Sequence, residues 1–180
     1  MAKPSRRFPF GRRKINFNRS LGNRFFYGDM IWYLRVFGIF VFVFFFAVLS
    51  QKESRLEHSW EVKLKPEQTQ KILYESFQPK SFRPPTLGEE WESKSLGETV
   101  QCKTTAVTNT PTISFQIETT GFKHYQVLKE TYQLDPTENG VRVKGVLEIQ
   151  PAPNFLSKLL FLFFGKADLH HIATSKEKRF

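Results

Sequence analysis

Leu56-Glu57-His58-Ser59-Trp60-Glu61-Val62-Lys63-Leu64 runs directly into Lys65-Pro66-Glu67. Leu56, His58, Trp60, Val62 and Leu64 alternate with Glu57, Ser59, Glu61 and Lys63, which is the period-2 pattern of a strand with one buried and one wet face. The alternation stops at Pro66, which suits the first turn of a helix, and Glu67 suits that helix's positive end. Ile72, Leu73, Tyr74 and Phe77 give the next three turns one apolar side, and Pro79 ends them. Strand then helix, with almost no link, makes this an α+β chain in which a short helix packs against its own sheet.

Working outward toward the C-terminus, Phe82-Arg83-Pro84-Pro85-Thr86-Leu87-Gly88 cannot be regular and reads as a loop over the domain. Strand-like pieces follow at 91–96, 99–108, 112–118, 123–134 and 141–150, separated by Gly97, Asn109-Thr110-Pro111, Thr119-Thr120-Gly121 and the hairpin connection Asp135-Pro136-Thr137-Glu138-Asn139-Gly140. Such short connections predict an antiparallel meander. Pro151-Ala152-Pro153 ends the sheet and Asn154 is a candidate N-cap for a helix from Phe155 toward Thr174. Its stretch 159–164 is apolar all round, more than one sheet face requires, yet too short to cross a bilayer. Lys176-Glu177-Lys178-Arg179-Phe180 reads as a solvated tail.

This order of strand, helix, irregular loop, antiparallel strands and C-terminal helix resembles the START-like helix-grip superfamily of polyketide cyclases and lipid-transfer domains. The points of similarity are His58-Ser59-Trp60-Glu61-Val62 leading into Lys65-Pro66-Glu67, and Thr131-Tyr132-Gln133-Leu134-Asp135-Pro136 followed by Asn139-Gly140-Val141-Arg142-Val143. The resemblance implies an antiparallel sheet wrapped on the C-terminal helix, with a cavity between them that takes apolar ligands. Gly165 near the middle of a helix that looks short for the superfamily implies a small or open cavity. Residues that would line it are Trp60, Val62, Tyr74, Phe77, Phe115, Tyr132, Val143, Leu159 and Phe163. Each is equally what an ordinary core requires, and the core is the simpler reading.

No Ser-His-Asp order, Gly-rich phosphate loop or zinc-ligand spacing is present, so no catalytic residue, metal or cofactor is expected and the chain reads as a non-enzyme. Asp168, His170 and His171 come nearest to a metal cluster, but adjacent residues on a helix point about 100° apart. His58 and His124 fit packed structural positions. Glu89, Glu90 and Glu92 beside Trp91 read as a solvated loop. Cys102 is the one cysteine, which excludes an intrachain disulfide.

Working outward toward the N-terminus, Gln51–Arg55 is a polar link and Met30–Ser50 carries a single charge, Arg35. As a helix these 21 residues rise roughly 30 Å, enough for a bilayer core. Trp32 and Tyr33 suit the interface, Arg35 can reach back to the headgroups, and Phe37, Phe40 and Phe44 face the lipid. Before it, Lys3, Arg6, Arg7, Arg12, Arg13, Lys14, Arg19 and Arg24 stand against Asp29 alone, a net of +7 out of the chain's +10. Positive flanks stay cytoplasmic, so this helix is read as a signal anchor and the remainder of the chain as extracytoplasmic. The bulk of the basic charge is thereby explained by topology and lipid headgroups, and no nucleic-acid motif accompanies it.

The expected organisation is a basic cytoplasmic tail over 1–29, a transmembrane anchor over 30–50, a link over 51–55, a helix-grip-like domain over 56–175 and a polar tail over 176–180. The tail 1–29 shows no sustained period and reads as irregular, with Phe8, Phe10, Phe17, Phe25 and Phe26 available to headgroups. The expected location is single-pass in a membrane of the bacterial inner type. The expected function is binding of a lipid or other apolar molecule at the membrane surface, with 155–164 as lid or membrane contact. The alternative is an accessory subunit of a membrane protein complex that docks through the same apolar helix.

Overall fold

The computed structural model describes residues 19–78, 84–110 and 112–180, with side chains from Met30 onward. They form two compact units, one ending at Phe44 and one spanning Phe45–Phe180. Helix α1, Arg19–Leu49, provides the described part of the first unit, and its last turn, from Phe45, belongs to the second. Within α1, Met30–Leu49 is long and apolar enough to cross a membrane. Trp32, Tyr33, Arg35, Phe37, Phe40 and Phe44 all lie exposed along it. The helix starts well before the apolar run, where the sequence reads as irregular, because adding residues to a nucleated helix costs little. Phe8, Phe10, Phe17 and most of the basic cluster lie outside the described residues.

In the second unit the first strand, β1 (Ser54–Val62), leads into α2 (Pro66–Glu75), then β2 (Glu90–Ser95), β3 (Glu98–Thr108), β4 (Ile113–Thr120), β5 (Tyr125–Thr137), β6 (Gly140–Pro151) and α3 (Phe155–Glu177). The strands form one antiparallel sheet in the order β1-β6-β5-β4-β3-β2, so the chain's first strand is an edge beside its last. The meander is as the short connections require, and β1 closes it by pairing Leu56 with Leu147, His58 with Gly145 and Trp60 with Val143. Partners directly opposite share a face. The inner face therefore continues through Tyr132 and Leu134 of β5, Phe115 and Ile117 of β4, Cys102 and Thr104 of β3, and Trp91 of β2.

Bulges at Thr105 on β3 and Gln126 on β5 bend the sheet around the helices. Helix α3 packs on β1 and β6, and α2 on β5 and β6. This is the helix-grip fold, with one apolar core of Leu73, Tyr74, Phe115, Tyr132, Val143, Leu147, Phe161 and Leu169 between sheet and helices. Asn154 caps α3 as its sequence position suggests, accepting from the Ser157 amide at 2.8 Å.

Three local expectations change. Glu90 and Glu92 lie on β2 rather than in a loop, and the strand expected from Trp91 starts one residue earlier, with Trp91 and Ser93 pointing inward and the alternating Glu90, Glu92 and Lys94 meeting water. Strand β5 continues through Pro136 to Thr137, so the hairpin loop is only Glu138-Asn139. Pro136 is tolerated because β4 pairs with β5 no further than Leu134, leaving the proline's missing donor on an unpaired side. Helix α3 runs on to Glu177, and Lys176 is buried within it rather than solvated.

Candidate functional site

Helix α3 rests on the β1–β6 side of the sheet, which leaves the β2–β3 side of the grip open. The β2–β3 hairpin turns on Leu96-Gly97, both with positive φ. That geometry suits a two-residue hairpin loop but is one that a leucine adopts only at a cost of order 1 kcal/mol. Leu96 is held there at the seam between two neighbouring cavities, and it lines both. Strain of this kind concentrates at functional positions.

The larger cavity is a cleft of about 540 Å³ lined by the apolar Leu96, Phe122, Leu160 and Phe164 together with Tyr125, Glu98, His124, Asp168 and His171. Its size falls within the range of small-molecule sites. Its polar groups are already ordered. The Tyr125 hydroxyl donates to Asp168, His124 Nδ1 lies 3.4 Å from the Ser157 hydroxyl, and Glu98 accepts from the Lys123 amide at 2.9 Å. Burial, then the Asp168 carboxylate, pushes the Tyr125 hydroxyl well above its ordinary range, so it stays a donor. The cleft thus offers apolar walls and a few fixed polar contacts.

The smaller cavity, about 150 Å³, is polar and deeper in the grip, bounded by Ser76, Phe77, Ser93, Cys102, Glu130 and Lys176 among others. Lys176 reaches in from α3. Its Nζ donates to Ser76 Oγ at 2.8 Å, lies 3.8 Å from Glu130 Oε2 and sits 3.1 Å from the centre of the Phe77 ring. Glu130 in turn accepts from the Tyr132 hydroxyl at 2.8 Å. Burial lowers Lys176 to about 8, opposed by Glu130. Burial also pushes up Cys102, whose Sγ lies 3.6 Å from the Thr119 hydroxyl.

A third polar feature lies on β1. The His58 ring lies over Gly145, stacks on Trp60 with centroids 4.9 Å apart and meets the edge of Tyr132. Both His58 nitrogens and the Trp60 indole nitrogen are buried without a hydrogen-bond partner among the described residues. Burial holds His58 below its usual range.

Of the residues expected to line a cavity, Val62, Tyr74, Phe77, Phe115, Tyr132 and Val143 come together in the core and Trp60 packs against it. Leu159 is half-buried on α3 and Phe163 points outward. Among them only Phe77 borders either cavity of the grip. Sequence reasoning missed Leu96, Phe122, Tyr125, Phe164 and the Lys176–Glu130 pair. A signal for Lys176 exists in the helical recurrence Phe161, Gly165, Leu169, Ile172, Ala173, Lys176, every member of which is buried.

No family model matches the chain, and no curated protein sequence matches it. Similar solved structures include truncated norcoclaurine synthase from Thalictrum flavum, at 12% identity and a TM-score of 0.49, covering 71% of this chain and 94% of that one. Ara h 8.0201 is similar at 11% identity and a TM-score of 0.48, over 71% of this chain and 94% of its own. The major latex-like protein of Panax ginseng follows at 13% and 0.39, over 66% and 95%. These likenesses are distant enough that the chain's own element order and cavities, not the neighbours, carry the functional argument.

Proposed function

We propose that this chain is a membrane-anchored helix-grip domain that holds a lipid or other apolar molecule with a small polar group, without catalysing its conversion. The cleft beside α3 carries the reading. Leu96, Phe122, Leu160 and Phe164 offer an apolar wall, and Tyr125 with Asp168 offers one ordered polar contact at the same place. Burial of a hydrocarbon group against such a wall contributes roughly 25 cal/mol per Å² of apolar area removed from water. The polar contact fixes orientation. The deeper cavity shares Leu96 and His171 with the cleft, which gives a longer ligand a polar continuation toward Lys176 and Glu130.

The test is native mass spectrometry and lipid extraction on the full chain purified from cells in detergent micelles. A stoichiometric apolar molecule that leaves only on denaturation is expected, and Leu160→Trp, which fills the cleft, should release it while the fold is retained. If the full chain emerges empty and Leu160→Trp changes nothing, the reading fails. The accessory-subunit role would then take its place, tested by pull-down of the full chain.

A further inference from the structure

We infer that the first half of α3 is embedded in the lipid surface, with the water boundary crossing the helix at Gly165-Lys166. The inference rests on α1 being a membrane span, but not on the cleft holding a ligand.

The outward side of α3 changes character partway along a single continuous helix. At 100° per residue, the side opposite the buried Phe161, Leu169 and Ile172 is occupied by Leu156, Leu159 and Phe163, then by Lys166, Ala167, His170 and Thr174. Phe163 is 63% exposed and Leu156 57%, and Phe155, Leu162 and Phe164 flank them in the open. From Lys166 onward the same stripe is polar or small. A helix lying wholly in water has no reason to change at one point, whereas a helix entering a headgroup layer does. A second chain covering the whole face would not need the change either.

Lipid is the occupant because of where the chain places this end of α3. Only four residues, 50–53, separate the last residue of α1 from the start of β1, so the unit cannot leave the surface into which α1 passes. Within the second unit, the last turn of α1 is fastened to the first turns of α3. The Lys158 ammonium donates to the Leu49 carbonyl at 2.8 Å, satisfying one of the helix-end carbonyls that otherwise lack partners, and Phe45 stacks on Phe155 at 5.0 Å. The apolar half of α3 is thus the half beside the membrane exit. Lys166 follows the last of the exposed apolar residues, where a basic side chain can meet the headgroups of an anionic surface.

To test this, Phe163→Cys and His170→Cys are made singly in the full chain, labelled with the fluorophore NBD and reconstituted into phosphatidylcholine–phosphatidylglycerol vesicles. The unsubstituted chain controls for labelling at the buried Cys102. Lipid-borne doxyl and aqueous iodide serve as quenchers, with iodide on both sides of the bilayer. The label at 163 should be blue-shifted and quenched several-fold more by doxyl than by iodide, and the label at 170 should show the reverse. Equal iodide quenching at both positions overturns the proposal by placing the face in water. Protection of 163 from both quenchers overturns it in favour of a protein covering. Flotation after carbonate washing separates the two levels: a chain that fails to float removes the anchor and this inference together, and one that floats with 163 in water removes the inference alone.

Discussion

Lys176 and Glu130 form a charged pair deep in the grip, and the arithmetic of such pairs is asymmetric. Removing one partner leaves the other buried without compensation, while removing both costs little. Lys176→Met should therefore destabilise the unit by about 3–5 kcal/mol, and the double variant with Glu130→Gln should recover most of the loss. Denaturation of the full chain in detergent, followed through the fluorescence of buried Trp91, measures both. Titration gives an independent check. Lys176 sits at about 8 when folded against about 10.5 when unfolded, so between these values the unfolded chain binds more protons. Stability contributed by this group must rise with pH across that window, the penalty of burying the ammonium being present in full below about 8. Tyr74 and Tyr132, held up by burial, act in the opposite direction above about 10. The window from pH 8 to 9 is therefore the place to compare wild type with Lys176→Met, and the wild type should gain relative to the variant. His58 gives the acid counterpart. Its burial favours the neutral ring, so the unfolded chain takes up the proton first and stability falls as pH drops below about 6.5. His58→Phe should flatten the decline between pH 7 and 5.

The contact between β1 and β6 carries a prediction at the next scale. A Cβ on Gly145 would overlap the His58 ring, which cannot swing away freely because Trp60 and Tyr132 hold it. Gly145→Ala should cost about 1–3 kcal/mol, and much less in a His58→Ala background, a coupling that a double-mutant cycle reads directly. His58 was legible as an inward residue because β1 alternates strictly, and a strand's side chains have no third direction to take. The whole element order was legible for similar reasons: period, proline and turn residues act within a few positions. What was not legible depends on residues brought together from far along the chain. The cleft exists because α3 leans toward β1 and β6, and no local pattern states which way a helix leans. Lys176 reads as one charge in a run of charges until Glu130 and Phe77 are placed around it. The helical recurrence that ends on Lys176 pointed inward, but the high cost of burying an ammonium made the solvated reading stronger.

At the scale of the whole molecule, the proposed anchor raises the question of the side of the bilayer on which the helix-grip domain is held. Which side is decided by charge near the span. Eight basic residues against one acid precede Met30, while the chain beyond residue 50 carries a net of only +2, spread over a domain rather than gathered at the membrane. On the proposed reading, retention of the positive flank on the cytoplasmic face would hold the grip outside. Protease added to sealed, right-side-out vesicles from expressing cells should digest the helix-grip unit and leave an N-terminal fragment that carries α1. The grip has exposed trypsin sites on its wet face, such as Lys63 and Lys94, so access rather than sequence limits cleavage. Inverted vesicles should give the complementary result, with the grip protected and the tail trimmed. Replacing Arg6, Arg7, Arg12, Arg13 and Lys14 by Gln should weaken the bias and yield a mixed population, because the apolar run itself favours neither direction. If the grip is protected in right-side-out vesicles, the orientation is reversed, and the cleft and the apolar half of α3 serve the cytoplasmic leaflet. Its anionic lipids are the stronger attraction for Lys158 and Lys166.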